Sequence, residues 1–454
     1  MITTNEVLTH KVGKLYLHYF IPTICGTLMG SVYGFADLLF IGRGVGGNAL
    51  AALSIATPMY SMFSTLVTLI GLGGATAMAV LRGQQKEEDA DQYFTQSMLL
   101  LTVLSVVFTA LMQLFIEPVA VFLGATPEIL DMVVEYMRIV CWAIPGFLLS
   151  WSLGSFVRND GNPRLVMWAS VIPNCFNVVF DYIFVFPLAM GIAGAALATA
   201  LSPILGLLLL LLHFLRGRNT IRLVRPHFTL SSLGRILRNG SSYAILEASS
   251  GILIFSFNNL LIRLSGEMAV SAYAVLMNIG WFVFSITSGF IQAAQPIIGV
   301  NYGAGQFRRC RQAFTVAGLW GVGFAAAVMV VLLVEPAWII QLFAGDEDRA
   351  LIELAVTSGR KYFTMILPQA VNVVVLGFIQ ACERYKQSIV VSLARGLVLI
   401  LAALYGLAAL FGVDGVWWAT TVSESCTVVL SALLLVSIFR SFHQQESRME
   451  EVSV

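Results

Sequence analysis

The chain has 454 residues, of which 58% are hydrophobic and only 11% charged, with a formal net charge of +1 at pH 7 and a mean hydropathy of +0.84. Soluble domains carry roughly 25% charged residues, so this composition excludes a water-exposed globular fold, and the near-neutral balance offers no basic surface for nucleic acid. A membrane-spanning helix needs about 20 mostly apolar residues; the length therefore fits an all-α integral membrane protein with about twelve transmembrane helices.

Apolar runs between charged or turn-rich punctuation predict six spans at 15–42, 50–81, 94–121, 130–157, 165–187 and 191–215, and six more at 241–264, 269–301, 312–344, 353–381, 388–411 and 415–439. The residues up to Lys14 are polar and the first run is long enough to span, so no cleavable leader is expected. The segment 216–239 is the only long polar connection. It divides the chain into an N-terminal six-helix lobe (1–215), a basic cytoplasmic linker (216–239), a C-terminal six-helix lobe (240–440) and a cytoplasmic tail (441–454). Lys and Arg concentrate in alternate loops: Arg82 and Lys86, Arg158 and Arg164, Arg308 to Arg311, Arg384 and Lys386, and the linker from Arg216 through Arg218 to Arg238. The opposite side holds acidic stretches such as Gly345 to Asp348. Basic loops stay inside, so both termini are expected in the cytoplasm, and an even number of spans follows.

Ionisable or amide side chains inside apolar runs are the candidates for function, because a charge at mid-membrane costs about 2.5–3.5 kcal/mol on insertion scales. The first span carries Asp37, one turn after Tyr33, and the second carries Met59 and Tyr60. In the fifth, Pro173, Asn177 and Asp181 recur every four residues with Asn174 nearby, which places them on one helical face. A carboxylate one turn from an amide carbonyl suits a hard cation such as Na⁺, with Asp37, Asn177 and Asp181 as its ligands, or a hydrogen-bond partner for a protonated acid. A structural interhelical hydrogen bond beside a proline kink is the plainer alternative. Two carboxylates brought close would repel each other, so protonation or cation binding would act as a switch.

The second half is polar but mostly uncharged. Glu247 lies about two turns from the linker; Asn259, Asn278, Trp281, Gln292, Gln295, Gln369 and Asn372 follow, with Tyr33, Met59 and Tyr60 from the first half, as candidates to line a substrate cavity for flat cations. Packing is the commoner role for any single aromatic or Met residue. Arg395 is the only basic residue near mid-span, and Glu424 stands where the first half has Pro203, a structural polar contact being favoured for it. No Walker motif, nucleophile elbow or His-x-x-x-His pair is present, and none of the five histidines lies mid-span, which removes support from ATP-driven and enzymatic readings. The six cysteines show no metal or disulfide spacing.

The halves repeat. Gly191, Gly194, Ala198, Thr199 and Ser202 recur as Gly412, Gly415, Ala419, Thr420 and Ser423 at a constant offset of 221, and Asp37-Leu38-Leu39 recurs as Asn259-Leu260-Leu261 at 222. Both halves begin on the same side, so the repeat is parallel, an arrangement expected to leave a cavity between two lobes at mid-membrane.

The string Gly289 to Arg309 (GFIQAAQPIIGVNYGAGQFRR), its partner Gly71-Leu72-Gly73-Gly74-Ala75, the stretch Pro173 to Asp181 and the stretch Gly412 to Ser423 together resemble the multidrug and toxic compound extrusion family, most closely its bacterial multidrug-export branch. That resemblance spans essentially the full length. It implies a V-shaped pair of six-helix lobes that export cationic or amphipathic small molecules in exchange for H⁺ or Na⁺, with no other cofactor, acting as a monomer in lipid. It also implies that Asp37, Asn177 and Asp181 form the first-lobe cation or proton site and that Glu247 falls near a second-lobe acid. Where some members carry a further acid in the tenth helix, this chain has Gln369 or Asn372. A lipid-linked sugar or polysaccharide flippase of the same superfamily, which would want a cavity rich in Arg and Lys, and a narrow-specificity metabolite exporter are the rival readings.

Overall fold

The computed structural model describes residues 2–217, 219–344 and 349–453, apart from the side chains of Phe35, Leu38, Phe343, Ala344, Met449, Glu450, Val452 and Ser453. Arg218 and the acidic stretch 345–348 lie outside the described residues. Those described are almost wholly helical, with no strand among them. Among the described residues, eleven helices are long and apolar enough to cross a membrane, and twelve if a bent pair is counted as one span. In chain order the spans are α1 (Val12–Gly44), α2 (Gly47–Gly83), α3 (Glu87–Leu114), α4 (the pair Leu130–Trp142 and Ile144–Asn159), α5 (Pro163–Val185) and α6 (Gly191–Leu215). The second six are α7 (Leu230–Ser265), α8 (Glu267–Gly303), α9 (Phe307–Val334), α10 (Arg349–Ala381), α11 (Tyr385–Phe411) and α12 (Val413–Ser453).

Several boundaries differ from those read off hydropathy, and backbone chemistry explains them. The fourth span bends by 50° where Ala143 precedes Ile144 and Pro145, since proline cannot donate to the preceding turn. The ninth, expected to run on to 344, stops at Val334; Glu335 and Pro336 interrupt it, and Ala337–Ala344 is a separate short helix. The third starts earlier, at Glu87, because its acidic first turn (Glu87, Glu88, Asp89) complements the positive end of the helix. After Phe115, the rest of its expected range forms the short helix Ile116–Phe122. The seventh begins at Leu230, inside the expected linker, behind a reciprocal cap in which Ser232 N–H donates to Thr229 Oγ1 (3.0 Å) and Thr229 N–H to Ser232 Oγ (3.3 Å). The tail expected at 441–454 continues α12 as helix to Ser453.

Contacts divide the chain into two units. The first comprises Met1–Thr9 and Ile21–Ala244, the second His10–Phe20 and Ile245–Val454. In the first, aromatic and aliphatic side chains of α2, α3, α4 and α6 form a core around Met59, Phe63, Tyr136 and Phe147. In the second, the start of α1 packs on α8, with the Tyr16 hydroxyl donating to the Phe290 carbonyl at 3.1 Å, around a core that includes Phe257, Tyr273, Phe363 and Trp417.

Candidate functional site

The first unit brings the sequence-selected acids together through small residues. Helices α1 and α5 run parallel, with Gly26 beside Ser170 and Gly30 beside Asn174, both 144 residues apart. A Cβ on Gly26 would sit 3.6 Å from Ser170, and one on Gly30 would sit 3.9 Å from Asn174 Nδ2, while Ser170 Oγ donates to the Gly26 carbonyl. A Cβ on Gly44 would lie only 2.2 Å from Val185. Small residues let two backbones approach closely. The same register sets Asp37 opposite Asp181, and each carboxyl is the other's charged neighbour. Asp37 is 7% exposed, and Asn177 and Asp181 are fully buried.

The decisive feature of this cluster is what it lacks. Asp37 Oδ1, Asn177 Oδ1 and both carboxyl oxygens of Asp181 are buried and accept no hydrogen bond from any other residue, and the two carboxyls are close enough to hydrogen-bond each other when one is protonated. Buried polar atoms are almost always satisfied, and one left bare costs about 1–3 kcal/mol, more when charged. Asn177 is oriented by donating Nδ2 to Thr199 Oγ1 at 3.4 Å. Four such oxygens from two carboxylates and one amide form a donor set for a hard cation, or for a proton shared between the acids. Tyr33 hydrogen-bonds Thr199 within electrostatic range of both acids, and Tyr60 shares a 2.9 Å hydroxyl contact with Tyr136. Among the described residues there is no cluster of three His, Cys, Asp or Glu.

Beside the acids lies a cavity of about 530 Å³, wholly within the first unit, walled by Tyr33, Tyr60, Phe147, Trp151, Asn174 and Arg158 together with Ser150, Pro173, Thr199 and Pro203. Tyr33 and Thr199 belong to both the cavity wall and the acid cluster, so the two are contiguous. Pro173 shapes the wall: Ser202 Oγ donates to its carbonyl at 2.8 Å.

Of the other expected residues, Met59 is buried with its sulfur 3.5 Å from Cys141 Sγ and does not line this cavity. Asn372 is fully buried and donates to the carbonyl (2.8 Å) and Oε2 (2.7 Å) of Glu424, so it serves an internal network rather than an open wall. Asn278 is exposed and donates to the Ala274 carbonyl, Trp281 is exposed against Phe284, and Glu247, Asn259, Gln292, Gln295 and Gln369 are half-buried in the second unit. Arg158, Trp151, Phe147, Thr199 and Tyr136 were not singled out from sequence as site residues. Arg158 reads there as one more basic loop residue, and Thr199 only as a position of the internal repeat.

A family model described as MatE matches residues 22–183 and again 244–405, so two copies stand at an offset of 222 (22 to 244, 183 to 405). The chain belongs to the MatE family. As a MatE transporter it is a multi-pass membrane protein, and the doubled match coincides with the internal repeat. The multidrug export protein MepA of Staphylococcus aureus (strain MSSA476) is 25% identical over 434 residues, covering 94% of both chains. The MepA of Staphylococcus haemolyticus (strain JCSC1435) is 24% identical over 447 residues and 97% of both. A solved multidrug resistance MATE family transporter of the MOP superfamily, in its outward-facing conformation, superposes with a TM-score of 0.91 at 22% identity, over 98% of this chain and all of that one; the likeness is one of fold.

Proposed function

We propose that this MatE chain is a secondary exporter of cationic or amphipathic compounds, driven by the inward movement of H⁺ or Na⁺ at Asp37, Asn177 and Asp181. The observation that carries this reading is the set of four buried oxygens, satisfied by no donor outside the acid pair, beside an aromatic cavity. Such a site is poised to exchange one positive charge for another. A cation or proton held by the acids neutralises the field that would attract a cationic substrate, while an empty, charged site attracts it; tyrosine and tryptophan faces give flat cations a second attraction. Exchange requires that ion and substrate favour opposite states of the transporter, and competition for one negative site supplies that coupling. The name of the MepA relatives, multidrug export protein, supports the same substrate class.

The cavity wall also contains Arg158, a guanidinium of the kind that a flippase for phosphate-bearing lipids would use. With two acids next to it, a cationic cargo remains the better match. Accumulation of ethidium in cells expressing the chain, with the pH and Na⁺ gradients collapsed one at a time, tests the proposal. Lower accumulation than in controls, restored by collapse of one gradient, is the expected result and names the coupling ion. Unchanged accumulation across a broad panel of cations would point to a metabolite or flippase substrate.

A further inference from the structure

The second unit contains a buried ion pair that the exchange chemistry above does not use. Arg395 Nε donates to Glu424 Oε1 at 2.7 Å, and Asn372 Nδ2 donates to Oε2 at 2.7 Å. Ser431 donates to Asn372 Oδ1 at 3.1 Å, which fixes the orientation of the amide. The side chains of Arg395 and Glu424 are 9% and 6% exposed, and the guanidinium lies 5.8 Å from the centre of the Phe284 ring. Arg395 sits on a π-helical turn, Ala394–Val398, within α11; such widened turns are frequent at functional sites.

The repeat gives this network a meaning. At the offset of 221, Asn372, Arg395 and Glu424 correspond to Trp151, Asn174 and Pro203; at 222 they correspond to Ser150, Pro173 and Ser202. All six of those first-unit residues wall the open cavity. The positions that enclose empty space in one unit therefore carry, in the other, a carboxylate, an amide and a cation that the chain itself supplies. In the first unit Asp37 Oδ1 and both Asp181 oxygens accept no bond from outside the acid pair; in the second both oxygens of Glu424 are bonded.

We propose that the second unit holds a self-liganded cation pocket, in which Arg395 is a tethered counter-ion occupying the place that corresponds to the first unit's open cavity. Glu424 is thereby held neutralised through the cycle, and ion exchange is confined to Asp37 and Asp181. Without the Arg395 side chain, Glu424, Asn372 and Phe284 would present a carboxylate, an amide and an aromatic face, a set that recognises a free guanidinium.

This inference rests on the exporter reading for its transport consequence and on equilibrium binding for the pocket itself. Removing one partner of a buried pair strands a charge, whereas removing both is often tolerated, so Arg395→Met/Glu424→Gln keeps the test open if a single variant fails to fold. In proteoliposomes the double variant is expected to export at rates within about twofold of the unaltered chain, with the same number of ions moved per substrate. Loss of gradient-driven export by a normally inserted double variant would overturn the proposal. Independently, methylguanidinium at millimolar concentration should raise the melting temperature of purified Arg395→Ala and leave the unaltered chain and Arg395→Ala/Glu424→Gln unmoved. Equal responses from all three would also overturn it. If the unaltered chain exports nothing, the exporter reading fails, and the methylguanidinium result still decides whether the pocket exists.

Discussion

At Asp160, between α4 and α5, the polar groups of four segments converge. Arg82 Nη1 donates at 2.5 Å, His213 Nε2 at 2.6 Å and the Thr220 amide at 3.0 Å, with the Thr220 hydroxyl also bonded. Asn162 accepts from Leu165 N–H through Oδ1, which leaves Nδ2 facing His213 Nδ1 at 3.3 Å. The imidazole is held at both ring nitrogens, Nε2 by Asp160 and Nδ1 by Asn162, while Arg82 supplies a permanent positive charge. Burial by itself would raise the Asp160 carboxyl, but His213, Arg82 and Thr220 outweigh it and hold it below the usual carboxylate range. A depressed pKa stabilises the fold above the unfolded value of about 3.9 and is lost as pH falls through the folded one. The contribution should therefore be constant at neutral pH and vanish only below about pH 4, which thermal melting across a pH series would reveal. Arg82→Gln should cost about 3 kcal/mol, since it strands a buried carboxylate, while His213→Gln, which keeps a donor, should cost less; the reverse order would contradict the Arg82 pair as the main support of Asp160. Asp37, Asn177 and Asp181 were legible in sequence because each interrupts an apolar run. Thr199, Tyr136 and Arg158 were not, since a threonine or tyrosine is unremarkable in a span and an arginine near a loop reads as a topology signal.

Among the elements, α7 shows where hydropathy misleads. Residues 230–239 carry Arg235 and Arg238 and read as a polar connector, yet they are helix, packed in the first unit against the π-helical turn Val67–Leu72 of α2. Glycine permits that approach. A Cβ on Gly240 would lie 1.8 Å from the Leu69 carbonyl oxygen, and one on Gly73 would lie 2.2 Å from the Ile236 carbonyl. Backbone atoms cannot step aside as a side-chain tip can, so Gly240→Val should destabilise by more than about 2 kcal/mol. Gly251→Ala, on the same helix with open space around it, should be neutral or stabilising by up to about 1 kcal/mol. Melting curves in detergent that showed equal effects would contradict the close packing. Short of Leu230 the connector is extended and bound to α3: Gln92 Nε2 donates to the Arg225 carbonyl, the Arg222 amide donates to Asp91 and the Val224 amide to Thr95. Those bonds join residues about 130 apart, beyond the reach of any local pattern.

For the whole molecule, the repeat and the span count were legible because twelve apolar runs and a constant offset are properties of the sequence itself. The assignment of His10–Phe20 to the second unit was not, because it depends on Tyr16 and Phe20 meeting Phe290 across about 270 residues. The basic loops carry a topological prediction: reporters inserted after Arg218 or fused at the C-terminus should read cytoplasmic, and one near Asp346 external, both insertion points lying outside the described residues. A reversed pattern would invert the direction assigned to export. The central claim is that Asp37 and Asp181 act as one exchange site, and gradient-driven efflux of a lipophilic cation from proteoliposomes measures it directly. Asp37→Asn and Asp181→Asn should each lower efflux at least about tenfold, the equivalent of about 1.4 kcal/mol in the transport barrier, at normal insertion. The double variant should be scarcely worse than the worse single, as expected of groups that work as a unit. Full gradient-driven efflux by both single variants would contradict the account.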